Sequence, residues 1–340
     1  MSPTEPSAAT EMEPPRPLVS AEDIDSCSFA FWYPLLRRWT FKSVILHPIP
    51  QELLIYLRQD GLVLPSSNEV DDESDNSESS TDESDAEIAS PPPDLTECTK
   101  ELQRCIDELG GAVFPKLNWS APTDAVWITA TNTLKCTTPE DIFLLLKGSD
   151  RVHEDLNHPY REVTSTSGGA PALRDQPLKD TQTQLVLRQW ANLNPSLEFR
   201  CFIQNKQIKA ITQIDLNYFA FLVTDEPTIR KAILAFYRDQ VRPVFPRDNY
   251  VMDVYVRSDY GKVYVVDFNP LSEATDTILL TWDVVLQPLP PEVSPTITLF
   301  PEHTDSIRFS STRYSQNRFP VDLNATNFQS SLEKFFDSQR

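Results

Sequence analysis

Two aspartates and an asparagine, at 253, 267 and 269, fall within the run YVMDVYVRSDYGKVYVVDFNP (250–270). Oxygen ligands so spaced are the chemistry of a hard divalent cation, provided the chain turns back between them. The run reads as a β-hairpin closed by a three-residue loop, Asp259-Tyr260-Gly261, with Gly261 in the left-handed conformation. Paired residues then sum to 520, so Asp253 lies across from Asp267 and Asn269 projects the same way one pleat on. Met252, Val254 and Val256 share the apolar face with Tyr264, Val266 and Phe268. A four-residue loop would make the sum odd and send the two acids to opposite faces. Facing carboxylates repel by about 1 kcal/mol in partly solvated surroundings. A cation between them removes that cost, and magnesium takes one or two carboxylates together with waters and substrate phosphates. The plainer alternative is that the acids face water or that one of them pairs with a lysine.

A second hairpin, LEFRCFIQNKQIKAITQ (197–213), turns at Asn205-Lys206 with residues summing to 411. Glu198, Arg200 and Phe202 then share a face with Lys209, Ile211 and Gln213. Arg200 can offer a bidentate fork to phosphate, with Glu198 orienting it or accepting a ribose hydroxyl; a surface salt-bridge face fits the same residues. Lys116, inside the strand-like VFPKLNW, is a further phosphate candidate, and a lysine at a strand end also snorkels to water.

These side chains need a scaffold of strands, and five runs supply it: QLVLRQW, LEFRCFI, QIKAITQ, YVMDVYV and KVYVVDF, with one helix near 227–240. Upstream, Gln51–Arg58 reads as a short helix, and the apolar stripe at 95, 98, 102, 105, 106 and 109 as an amphipathic helix stopped by Gly110. AVWITA (125–130) alternates like a strand. Thr138-Pro139-Glu140-Asp141 opens another helix, with threonine at the N-cap, proline at N1 and an acid at N3. Antiparallel hairpins with scattered helices indicate an α+β fold.

Composition narrows the function. Seven glycines in 340 residues spell neither a G-x-G-x-x-G nor a P-loop, so any nucleotide must be held largely by side chains. The Asp-Phe-Asn at 267–269 resembles the kinase D-F-G, but no H-R-D-x-x-x-x-N accompanies it, which excludes a protein kinase. Five cysteines without a C-x-x-C, and four histidines, make a zinc site improbable and fit a reducing compartment. The formal charge of −20 is uneven: residues 69–87 alone hold ten acids and no base. An acidic chain argues against direct nucleic-acid binding. No apolar run is long enough to span a membrane, and the N-terminus lacks a signal-peptide pattern. A cytoplasmic protein is expected.

The expected organisation is a disordered leader (1–26), an N-terminal segment of the first lobe (27–65), an acidic linker (66–93), the first lobe (94–183), a second lobe carrying the metal site (184–290) and a C-terminal segment (291–340). In the linker, Ser79, Ser80 and Ser84 each precede an acid by three residues, as acidophilic kinases require.

Several longer motifs carry a resemblance. Phe114-Pro-Lys-Leu-Asn-Trp-Ser-Ala-Pro122, Leu185-Val-Leu-Arg-Gln-Trp190, Glu198-Phe-Arg-Cys-Phe202 and Val266-Asp-Phe-Asn-Pro270, with Thr275-Asp276 and Thr281-Trp282, resemble the cell division cycle protein 123 family. Trp32-Tyr-Pro and Lys42-Ser-Val-Ile-Leu46 match as well. The resemblance implies an ATP-grasp-like fold, with two lobes of mainly antiparallel sheet enclosing a nucleotide cleft. It implies ATP and Mg2+ as cofactors, and assembly-chaperone activity on eukaryotic translation initiation factor 2 through the C-terminal region of its γ subunit, with the chain itself a monomer. Carried across, Lys116 contacts phosphates, with Asn118 and Ala121 in the loop over them. Arg188 and Trp190 fall beside the adenine, Glu198, Arg200 and Gln213 line the cleft, and Asp253, Asp267 and Asn269 hold the metal. Where the family often has glycine, this chain has Ser272. The alternative is an ATP-grasp ligase joining a carboxylate to an amine or sealing nucleic-acid ends, for which no second-substrate constellation is visible.

Overall fold

Apolar periodicity decides the helices. In the computed structural model, which describes residues 17–59, 93–164, 173–288 and 294–302, the side chains of Cys98, Leu102, Cys105 and Ile106 lie buried along one helix, Thr96–Glu108. It ends where Gly110 (φ +93°) and Gly111 (φ +85°) turn left-handed. Their amides donate back to Asp107 and Ile106, closing a Schellman end that a side chain at either position would strain. The helix Pro139–Lys147 opens on the expected box: the Thr138 hydroxyl accepts from the Asp141 amide, and the Asp141 carboxylate accepts from the Thr138 amide. Such a cap contributes about 1 kcal/mol. The buried Ile142, Phe143, Leu145 and Leu146 contribute about 2 kcal/mol each relative to exposure.

The chain forms two compact units. One comprises Lys42–His158 and Pro177–Trp190. It holds strands β1 (Ser43–Leu46), β2 (Val113–Lys116) and β3 (Leu185–Gln189) in an antiparallel sheet of order β1-β3-β2. Its main helices are α3 (Gln51–Arg58), α4 (Thr96–Glu108), α5 (Pro139–Lys147) and α6 (Asp150–Asn157). Because β3 is the central strand, 185–190 belongs to this unit. The expected strand over 125–130 is instead a 3₁₀ turn, Val126–Ile128. Thr129 draws the chain round, its hydroxyl donating to the Val126 carbonyl that its own amide also reaches.

The other unit comprises Met1–Phe41, Pro159–Gln176 and Ala191–Arg340. Strands β4 (Glu198–Gln204), β5 (Gln207–Gln213), β6 (Tyr250–Val256), β7 (Val263–Asn269) and β8 (Ile297–Thr298) form a sheet of order β7-β6-β4-β5-β8. It is antiparallel except for β5 with β8. The unit also holds α1 (Ala21–Ser26), α2 (Phe29–Leu36), α7 (Ala220–Phe236), continued by a π turn at Tyr237–Val241, and α8 (Trp282–Leu286). One sheet face packs aromatic rings: Phe268 stacks on Phe245 at 4.3 Å and meets Trp32 edge-on at 5.3 Å. On the other face Phe202, Ala210 and Val251 pack with Leu271 and Val285, flanked by Leu280 and Trp282. The leader expected to be disordered through residue 26 ends in α1, whose Ser20 and Asp23 form a capping box. The acidic linker through residue 92 and the segment from 303 lie outside the described residues.

Both hairpins carry a bulge, and each changes the expected register. In β6–β7, Val256 pairs with Val263 and the Arg257 amide donates to Lys262, leaving a four-residue turn. Tyr260 (φ +56°), not Gly261, is the left-handed residue. Val254 therefore pairs with Val265, in the odd register. Val266 then bulges, and Asp253 comes back opposite Asp267. The two departures cancel at the acids but not nearer the turn: Tyr264 leaves the apolar face, pairs with Tyr255 and stacks on Phe41 at 5.7 Å. In β4–β5 the two-residue turn at Asn205 (φ +52°) and Lys206 (φ +56°) is as expected. The register shift beyond it skips Lys209, so Arg200 pairs with Thr212, and Gln213 pairs with Phe199.

Candidate functional site

Each sheet gathers polar groups on one face. In the three-stranded sheet, Phe114 lies opposite Arg188 and Lys116 opposite Val186, so alternation puts Lys116 and Arg188 on the same face. Both are 1% exposed, among the largest fully buried side chains of the described residues. The Arg188 guanidinium lies 5.1 Å over the Phe114 ring, and Trp190 meets that ring edge-on at 6.5 Å.

After β2 the chain enters a tight loop closed by the Leu117 amide donating to the Ser120 carbonyl at 3.0 Å. Buried Asn118 ties it to the segment before β3, its Nδ2 donating to Gln182 and its Oδ1 accepting from the Gln184 amide. Asn118 thus shapes the loop through its side chain. Ala121 follows half-buried, its carbonyl accepting from Thr123. The loop's other anchor, Asp155 of α6, escaped the sequence reading. Its carboxylate accepts from the Trp119 amide (3.2 Å), the Ser120 amide (2.8 Å) and the Ser120 hydroxyl (2.8 Å). Burial pushes its pKa up to about 6, against the pull of those bonds and of the Lys116 charge. Nothing local marks one acid among the charged residues of DRVHEDLN; only its spacing within a helix of buried Val152 and Leu156 does.

In the five-stranded sheet, Arg200, Asp253 and Asp267 form a row across β4, β6 and β7. Arg200 grips Asp253 with two parallel bonds, Nε to Oδ1 and Nη2 to Oδ2, each 2.8 Å, and its Nη1 donates to the Asp276 carbonyl at 2.7 Å. Asp253 is 2% exposed. Asn269 and Asp267 are half-buried, with Asn269 opposite Val251 on the same face. Glu198 is half-buried opposite Tyr255. Gln213 departs from expectation: the bulge turns it to the other face, where Nε2 donates to Asp215 and Asn217 and Oε1 accepts from the Phe300 amide. Ser272 bonds Glu162, tying the loop after β7 to the segment preceding residue 165.

Two carboxylates and a carboxamide on one face are hard oxygen donors, which suits magnesium in kind. Both Asp253 oxygens already hold Arg200, so a metal there has to share that carboxylate with the guanidinium or displace it. Among the described residues no cluster of three or more His, Cys, Asp or Glu gathers as a metal site. No helix among them is long and apolar enough to cross a membrane.

The architecture is a mixed α+β protein with mainly antiparallel sheets, as expected, and with side chains rather than glycine loops at its polar faces. The family model described as D123 matches residues 32–327, and the chain belongs to that family. A protein of Aspergillus terreus named cell division cycle protein 123 is 40% identical over 273 residues, covering 80% of this chain and 65% of the relative. This chain therefore spans slightly less than two thirds of that relative's length. A protein of Aspergillus fumigatus named translation initiation factor eIF2 assembly protein is 39% identical over 314 residues, covering 92% and 73%. The solved structure of C-terminally truncated Cdc123 from Schizosaccharomyces pombe aligns with a TM-score of 0.68 and 33% identity, over 84% of this chain and 99% of that one.

Proposed function

We propose that this chain is an assembly chaperone for eukaryotic translation initiation factor 2 that binds ATP with Mg2+ and docks the C-terminal region of the γ subunit. The names borne by its relatives support the assembly role. The nucleotide reading rests on one observation: Lys116 and Arg188 are both held inside, on one face of a small sheet. Two cations on one face supply the charge, and Arg188 the planar fork, that a polyphosphate takes. Lys116 and Arg188 would bind the phosphates, with Trp190 and Phe114 offering aromatic surface for a base. In the other unit, Asp253, Asp267 and Asn269 are the oxygen donors that would hold magnesium. ATP couples to docking only if it binds the docking-competent state more tightly than the other.

The test incubates purified chain with γ subunit and labelled ATP, with and without magnesium. A chaperone retains more γ subunit when ATP is present and forms no new covalent product. Stoichiometric release of ADP or AMP with a new covalent product would make the chain a ligase instead.

A further inference from the structure

A buried acid that pulls two backbone amides and a hydroxyl inward is doing something more specific than filling space. Asp155 is 8% exposed. Its Oδ2 accepts from Trp119 and Ser120, its Oδ1 from the Ser120 hydroxyl, and the one charged group that lowers its pKa is Lys116, the last residue of β2. The carboxylate thus anchors the closing end of the turn that leaves β2 at Lys116. An alanine would remove the acceptor of all three bonds, and an asparagine would keep the shape but drop the charge.

We infer that Asp155 is a positioning residue for polyphosphate binding, holding the Leu117–Ser120 loop in one conformation and with it the end of β2 that carries Lys116. The inference rests on the nucleotide reading of Lys116 given above. Asp155 touches no ligand in this scheme; it acts through Lys116 and the loop. A residue that only stabilised the unit would weaken the binding of any nucleotide part equally. A positioning residue acts on the phosphates and leaves the nucleoside alone.

The experiment titrates ATP and adenosine, with magnesium, into the full chain and into Asp155→Ala, Asp155→Asn, Lys116→Met and the Asp155→Ala/Lys116→Met double variant by calorimetry. We expect Asp155→Ala to lose about tenfold in ATP affinity, the size of a lost charge-assisted bond, while adenosine affinity stays within about twofold. The double variant should bind ATP no more weakly than Lys116→Met alone, because both act through one group. Asp155→Asn keeps the side-chain volume and an acceptor, so it carries the test if the alanine variant does not fold, and it should show the same selective loss in smaller degree. Equal losses for ATP and adenosine, or unchanged ATP affinity in a folded variant, would overturn the positioning role while leaving the nucleotide reading intact. Absence of ATP binding by the unaltered chain would overturn both.

Discussion

The two sheets bury charge in opposite ways. On the five-stranded sheet the counter-charges are neighbours in the sheet itself: Arg200 and Asp253 face each other across β4 and β6 and share two 2.8 Å bonds. On the three-stranded sheet the two buried charged side chains of that face are both cations, and an acid that acts on Lys116 comes from α6. The first arrangement pairs opposite charges on neighbouring strands. The second draws an acid from an element outside the sheet. The same physical cost, a charge kept from water, is met by strand register in one unit and by tertiary packing in the other.

That contrast can be broken or sharpened by mutation. The largest effect is expected at Arg200. Arg200→Met removes both 2.8 Å bonds from the buried Asp253 and should cost about 3–5 kcal/mol in chemical denaturation. Adding Asp253→Leu should restore most of it. An unchanged midpoint for Arg200→Met would mean that the pair contributes nothing to stability.

Next comes Asp155, whose buried carboxyl rises from 3.8 to about 6. A raised folded-state pKa means that the contribution is full below pH 4 and fades as pH climbs through about 6. The difference amounts to about 3 kcal/mol. The stability of Asp155→Asn relative to the unaltered chain should therefore rise between pH 4 and 6 and level off above 7. Parallel pH profiles would contradict the assignment.

Asp267→Ala should leave the melting temperature nearly unchanged, since the side chain is half-buried at the sheet's outer strand. It should lower magnesium-dependent ATP affinity by about tenfold or more, the size of a lost charged ligand; calorimetry with and without the metal decides it.

The smallest effect is expected at the β4–β5 turn. Lys206 sits at φ +56°, so Lys206→Gly should stabilise by about 1 kcal/mol. It gives up only the exposed 3.5 Å pair with Asp248, which is worth little.

Much of the scaffold was legible because it is local. The Thr138–Asp141 box, the glycine stop after α4, the five strands and the Asn205-Lys206 turn are each set by a few adjacent residues. Bulges are not local, and they decided the site. Asp253 does face Asp267, but through a four-residue turn corrected by Val266 rather than through the three-residue turn that pairing arithmetic favoured. The shift at Lys209 had no such correction, and Gln213 crossed to the other face. Gly261 looked like the turn's left-handed residue because glycine alone takes that conformation without strain, yet Tyr260 adopts it. The Tyr260 hydroxyl donates to Asp225, and the Asp259 carboxylate accepts from the Gly261 amide. Asp155 was illegible for a different reason: its partners are 35 and 36 residues away in sequence.

The central claim is that the face carrying Lys116 and Arg188 receives the phosphates of a nucleotide. Calorimetric titration of magnesium ATP into the unaltered chain and into Lys116→Met tests it most directly, since methionine keeps the buried stem and removes only the charge. Saturable binding that weakens about ten- to hundredfold in the variant, with the fold intact, is the predicted result. Equal affinity in the two proteins would contradict it.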